Sequence, residues 1–133
     1  MKNAKVNGFT LAELLVVLFI IGFLVAMALP NLLPMISKTK STEAKLQLEH
    51  LYTLEKNYFY MHSKYSNSLE DIGFEHEKLS TEGGSANYKI TITEASTNTF
   101  KASATAVVDF DGDGEFNIWE IDQNKQLTEA VKD

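Results

Sequence analysis

Two groups of carboxylates in this chain have a spacing that calls for a partner. The first is Asp109-Phe110-Asp111-Gly112-Asp113-Gly114-Glu115-Phe116-Asn117-Ile118-Trp119-Glu120, which follows D-x-D-x-D-G-x5-E. Calcium takes roughly six to eight oxygens at about 2.3–2.6 Å, and acids that alternate in a tight loop converge on one point. In that pattern Asp109, Asp111 and Asp113 supply carboxylates and Gly114 makes the sharp turn. Glu115 gives its backbone carbonyl, Asn117 ligates directly or through water, and Glu120 closes the site. Asp122 is the alternative to Glu120, which on a strand shares a face with Phe116 and Ile118. The competing account is a plain Asp-Gly hairpin turn. It leaves Asp109, Asp111, Asp113 and Glu115 crowded with no lysine between them. Each close pair at ~4 Å repels by about 1 kcal/mol even in water. A calcium ion removes that cost, and its expected effect is to staple a C-terminal hairpin.

The second is a single acid, Glu13, set in the most apolar part of the chain. From Phe9 to Leu29 it is the one ionisable side chain. About 20 such residues at ~1.5 Å rise each cross a bilayer core of roughly 30 Å. A carboxylate inside such a helix costs roughly 2.5–3.5 kcal/mol on insertion scales and marks function by default. Ahead of the run lies a polar stub ending in Gly8, with lysines at 2 and 5. A secretory signal has its small-residue cleavage site after the apolar region, whereas Gly8 comes before it. Cutting after Gly8 makes Phe9 the new N-terminus, one helical turn from Glu13. An α-amine, its own or a neighbouring copy's, then neutralises the acid, and the helix dipole favours it there.

These residues resemble the class III signal of type IV pilin-like proteins: a short basic leader, Gly8, then Phe9-Thr10-Leu11-Ala12-Glu13-Leu14-Leu15-Val16-Val17. The resemblance implies cleavage after Gly8 by a prepilin peptidase and N-methylation of Phe9. It also implies that Glu13 helps set register with the adjacent subunit of a helical filament. Gly22 and Pro30 fall where pilins commonly carry a Gly and a Pro, in a part of the helix that can loosen in the fibre. The implied partners are the peptidase and methyltransferase, the assembly ATPase and platform protein, the inner membrane, and many copies of the chain. The acidic loop is similar to an EF-hand loop, although strands rather than helices are expected to flank it.

The elements that position these groups follow from periodicity. Pro30 and Pro34 deprive the carbonyls of Ala26 and Pro30 of their helical bonds, so a bend or melted stretch is expected between Gly22 and Pro34. Beyond Met35, Ala44, Leu48, Leu51, Leu54, Tyr58 and Met61 recur at three- and four-residue steps, an amphipathic helix to about His62. Residues 64–87 read as a loop, with Ser68-Leu69-Glu70-Asp71 enough for one helical turn. From Tyr88 the period becomes two: Tyr88, Ile90 and Ile92, then, after a Thr97-Asn98 turn, Phe100, Ala102, Ala104, Ala106 and Val108. A third run, Phe116 to Ile121, completes a small antiparallel meander. The expected fold is therefore α+β, a long N-terminal helix whose first half spans a membrane and whose second half packs on an antiparallel sheet. Its parts are a leader over 1–8, an apolar helix over 9–34 and a globular domain over 35–133.

Composition narrows the function. The twelve basic residues are all lysine, against eighteen acids. Removal of the leader takes two lysines and leaves a net charge near −8, which argues against nucleic acid as the main ligand. There is no cysteine, so a disulfide cannot hold the C-terminal region. His50, His62 and His76 are too scattered to form a catalytic or metal set, and no nucleophile–base arrangement stands out, so an enzyme is not expected. The aromatic residues Tyr52, Tyr58, Phe59, Tyr60 and Tyr65 are expected to pack between helix and sheet. The function implied is a structural subunit of a type IV pilus, held in the bacterial inner membrane and then exported into an extracellular filament. The alternatives are a pseudopilin of a type II secretion system and, from another class, a membrane-anchored calcium-binding module that never polymerises.

Overall fold

The computed structural model describes residues 6–133, the side chains of Asn31 and Leu33 excepted. The first five residues of the expected leader, with Lys2 and Lys5, lie outside that range. Two compact units are distinguished, Met1–Pro34 and Met35–Asp133. Helix α1 spans Leu11–His62 and contributes to both.

In the first unit α1 is long and apolar enough to cross a membrane. Every Leu, Val, Ile, Phe and Met from Phe9 to Leu29 is at least half exposed. Pro30 and Pro34 both lie inside α1, so the melted stretch expected between Gly22 and Pro34 is absent. Proline's own φ suits a helix; each one removes a single N–H donor, and the neighbouring bonds carry the turn.

The second unit is built on the other half of α1. Ala44, Leu48 and Leu51 are fully buried. Leu54 and Tyr58 pack more loosely against the same core. Met61, expected on that face, is instead 73% exposed, because the helix outruns the sheet within its last turn. Four strands follow: β1 Tyr88–Ala95, β2 Phe100–Ala106, β3 Ile118–Asp122 and β4 Leu127–Val131. They form one antiparallel sheet in the order β1-β2-β3-β4.

The sheet buries the face that alternation predicts on its first two strands. Tyr88, Ile90, Phe100, Ala102, Ala104 and Ala106 are 3% exposed or less. The small alanines of β2 share one core cluster with Ala44, Leu48 and Leu51 of α1. The β1–β2 hairpin closes at Ser96–Thr99, where the Ser96 amide donates to the Thr99 carbonyl at 2.8 Å. Three expectations need correcting. Val108 lies beyond β2 and is 40% exposed, and Phe116 precedes β3 and is 43% exposed. The meander has a fourth strand, β4. Its Leu-Thr-Glu-Ala-Val carries too little apolar alternation to announce itself, and register with β3 defines it. Around Ser68 there is only a turn, in which the Asp71 amide donates to Ser68 Oγ.

Candidate functional site

The N-terminal site is a helix start. Thr10 stands immediately before α1, and its amide donates to Glu13 Oε2 at 2.8 Å while the Glu13 amide donates back to Thr10 Oγ1 at 3.3 Å. This reciprocal pair satisfies two of the donors that a helix N-terminus leaves open, as S/T-x-x-E does at soluble helices. The Thr10-Leu11-Ala12-Glu13 spacing carries that signal in the sequence itself. The carboxylate is thus already held by its own backbone, at the positive end of the helix dipole. Gly8 and Phe9 precede the helix in irregular backbone, and Phe9 is 88% exposed. The bond between them lies outside regular structure.

The acidic loop sits between β2 and β3. Asp109, Asp111 and Asp113 converge there with Asp133, one oxygen from each lying within 4.8 Å of the others. Backbone amides fold the loop around its own acids. Asp109 accepts from Gly112 at 2.7 Å and from Gly114 at 2.8 Å, Asp111 from Asp113 at 3.1 Å, and Asp113 from Glu115 at 2.8 Å. Gly112 and Gly114 adopt φ of 81° and 92°, a left-handed backbone that glycine enters without strain. Asp133 closes the ring from two residues past β4: its carboxylate accepts the amides of Phe110 at 3.0 Å and Asp111 at 3.2 Å.

The charges respond to this crowding in opposite ways. The Gly114 amide, with those of Gly112, Asp111 and Asp113, holds the Asp109 carboxyl below its ordinary value. On Asp111 the Asp113 amide works in the same direction. Desolvation and the carboxylates of Asp113 and Asp133 outweigh it and push Asp111 up. Hard carboxylate oxygens gathered without a facing lysine are the donor set that suits calcium.

The other predicted ligands are elsewhere. Asn117 is fully buried beside the loop: its carbonyl oxygen accepts Tyr88 Oη–H at 2.7 Å, and its amide donates to Glu129 at 2.8 Å and to the Val131 carbonyl at 3.0 Å. Burial pushes the Tyr88 phenol up to about 12, which keeps it a donor. Asn117 therefore anchors the base of the loop to β1 and β4. Glu120 lies on β3 and pairs with Lys101 at 3.4 Å. Asp122 accepts the amides of Asn124 and Gln126 in the β3–β4 turn. The Glu115 side chain is exposed and is not among the four converging carboxylates; the contribution expected of Glu115 is its backbone carbonyl. The physical reason is the strand. After Asn117 the chain runs straight away from the loop at ~3.3 Å per residue, whereas a helix would carry the twelfth position back. Asp133 takes that place because β4 returns antiparallel and pairs Val131 with Ile118. Without β4 in view, no signal in the sequence points to it.

Residues 3–29 match the prokaryotic N-terminal methylation motif family. The chain is also 42% identical over 76 residues to the type IV major pilin protein PilA of Myxococcus xanthus (strain DK1622). The N-terminal segment therefore carries a prepilin-type methylation motif, and the chain is similar to a type IV pilin over a little more than half its length. The match to PilA covers 57% of this chain and 34% of the relative, so the chain spans about a third of the length of the curated relative it matches. The α+β arrangement is pilin-like as well, an N-terminal apolar helix with a four-stranded antiparallel sheet.

Proposed function

We propose that this chain is a structural subunit of a type IV pilus, not an enzyme. Cleavage after Gly8 and N-methylation of Phe9 release a subunit held in the bacterial inner membrane by the apolar half of α1. An assembly ATPase and platform then extract it into an extracellular filament made of its own copies. The observation that carries this reading is the methylation motif over 3–29 with one acid, Glu13, at the first turn of an exposed apolar helix. In the fibre Glu13 exchanges its intramolecular bond for the methylated amine of Phe9 in a neighbour. Gly22 and Pro30 are the weak points at which the packed helix can loosen.

Calcium is the second part of the proposal. Asp109, Asp111, Asp113 and Asp133 would hold it, and it would tie β4 to the β2–β3 loop where other chains use a disulfide. Ser37 Oγ donates to the Asp133 carbonyl, so the same residue also reaches α1.

Substitution of Glu13 tests the assembly reading against a non-polymerising anchor. Glu13→Ala is expected to abolish filaments while the processed subunit accumulates in the membrane. Filaments at wild-type abundance would overturn the role assigned to Glu13.

A further inference from the structure

We propose that the second unit carries a binding site for a neutral hexose unit, in a groove of about 310 Å³ between the end of α1, the loop that follows it and the β1–β2 turn. The proposal does not rest on the filament assignment. The groove is lined by Tyr58, Lys64, Ser66, Asn67, Asp71 and Thr97, among others. It lies about 35 Å along α1 from Met35 at 1.5 Å per residue.

The walls are tied together without any ligand. Ser66 is 4% exposed, and its amide donates at 3.0 Å to Glu55 Oε2, a carboxylate with no exposure at all. Ser66 Oγ reaches Asp71 Oδ2 at 3.2 Å. The Tyr65 amide donates to the Ser96 carbonyl at 3.0 Å, which joins the loop to the β1–β2 turn. A buried acid thus roots a surface loop, and the rim is pre-organised, which lowers the ordering cost of binding.

The groups left over define the ligand. Asp71 Oδ1, the Asn67 amide, the Thr97 hydroxyl and the Lys64 ammonium have no hydrogen-bond partner among the described residues. Their residues line the groove together with Tyr58, whose ring is half-buried. One carboxylate accepts from two neighbouring hydroxyls, the amide and ammonium complete the hydrogen bonding, and the ring covers a C–H face. With one lysine and one aspartate in its lining, the groove is close to neutral. The chain's net charge of −6 disfavours polyanions, and a lining this polar has little for a lipid tail. The volume is at the lower end for small-molecule sites, which suits a single sugar ring.

The test is saturation-transfer NMR on the full chain in detergent micelles, with the methyl glycosides of glucose, galactose and mannose and with dextran. The glycosides report a terminal unit and dextran a unit within a polymer. Saturable transfer from at least one is expected. Asp71→Asn, which keeps the shape, should weaken it roughly tenfold by removing charge-assisted bonds. Thr97→Trp, at an exposed turn, should block it with an unchanged thermal melt. No saturable transfer from any of the four probes, or binding undiminished in both variants, would overturn the proposal.

Discussion

The two units of this chain bury their apolar residues against different things. In the second, Leu48, Leu51, Tyr88, Phe100 and Ile121 are 1% exposed or less, each covered by other residues of the same chain. In the first, Phe9 to Leu29 is richer in apolar side chains and leaves all the large ones at least half exposed. An apolar surface of that extent is not stable in water, so its partner is outside the folded chain. Even the polar exceptions follow the contrast. The second unit buries Asn117 within internal hydrogen bonds and buries Glu55 with one carboxylate oxygen on the Ser66 amide and the other without a partner. The first keeps its lone acid at the helix end, bonded to Thr10, where the dipole helps. One unit is written for its own core; on the proposed reading the other is written for lipid and then for copies of itself.

That contrast can be broken by substitution. Phe100→Ala should cost the second unit about 3–5 kcal/mol, since the ring is buried against Tyr65 and Tyr52. Leu18→Ala, in the exposed half, should change the melt of that unit by no more than ~0.5 kcal/mol. Thermal melts of the full chain in detergent micelles compare the two. Equal losses would erase the distinction.

Calcium removal comes next. If calcium is present at roughly 10–100 times its dissociation constant, chelation should cost about 1.4–2.7 kcal/mol and lower the melt by several degrees. Asp133→Ala should abolish that shift, whereas Glu120→Ala should leave it intact. A melt indifferent to chelator would remove calcium from the account.

A smaller effect is expected at the start of α1. Thr10→Ala should weaken the first turn by about 1 kcal/mol, visible as faster amide exchange at Leu11 to Leu14 in micelles. The second unit should not register it.

Glu55 gives the smallest signal and a pH dependence of definite sign. Desolvation raises its pKa in the folded state, against a partial opposing effect from the Ser66 amide. A folded state that holds the proton more tightly is favoured at low pH. Its advantage is full below the unfolded value and is lost as pH rises through the folded one. Glu55→Gln, which can still accept from Ser66, should flatten that slope and raise the melt at neutral pH. A steeper slope in the variant would contradict desolvation as the cause.

Much of this architecture was legible in the residues. The apolar run, the three- and four-residue steps through Ala44, Leu48 and Leu51, and the alternation of Tyr88, Ile90, Phe100 and Ala102 all arise from local periodicity, which a sequence displays directly. The strand β4 and the place of Asp133 depend on pairing between distant segments, which it does not display. Glu120 and Asn117 were misplaced for a related reason. A spacing borrowed from a loop that runs into a helix does not hold once a strand follows. The prolines do not melt the helix, since each removes one donor from a stretch otherwise rich in good formers.

The most direct test of the central claim is electron microscopy of filaments sheared from cells, with mass spectrometry of their main protein. The account predicts abundant fibres built of a chain that begins at methylated Phe9. Fibres that lack this chain, or no fibres while the mature chain stays in the membrane, would contradict it and favour a pseudopilin or a non-polymerising anchor.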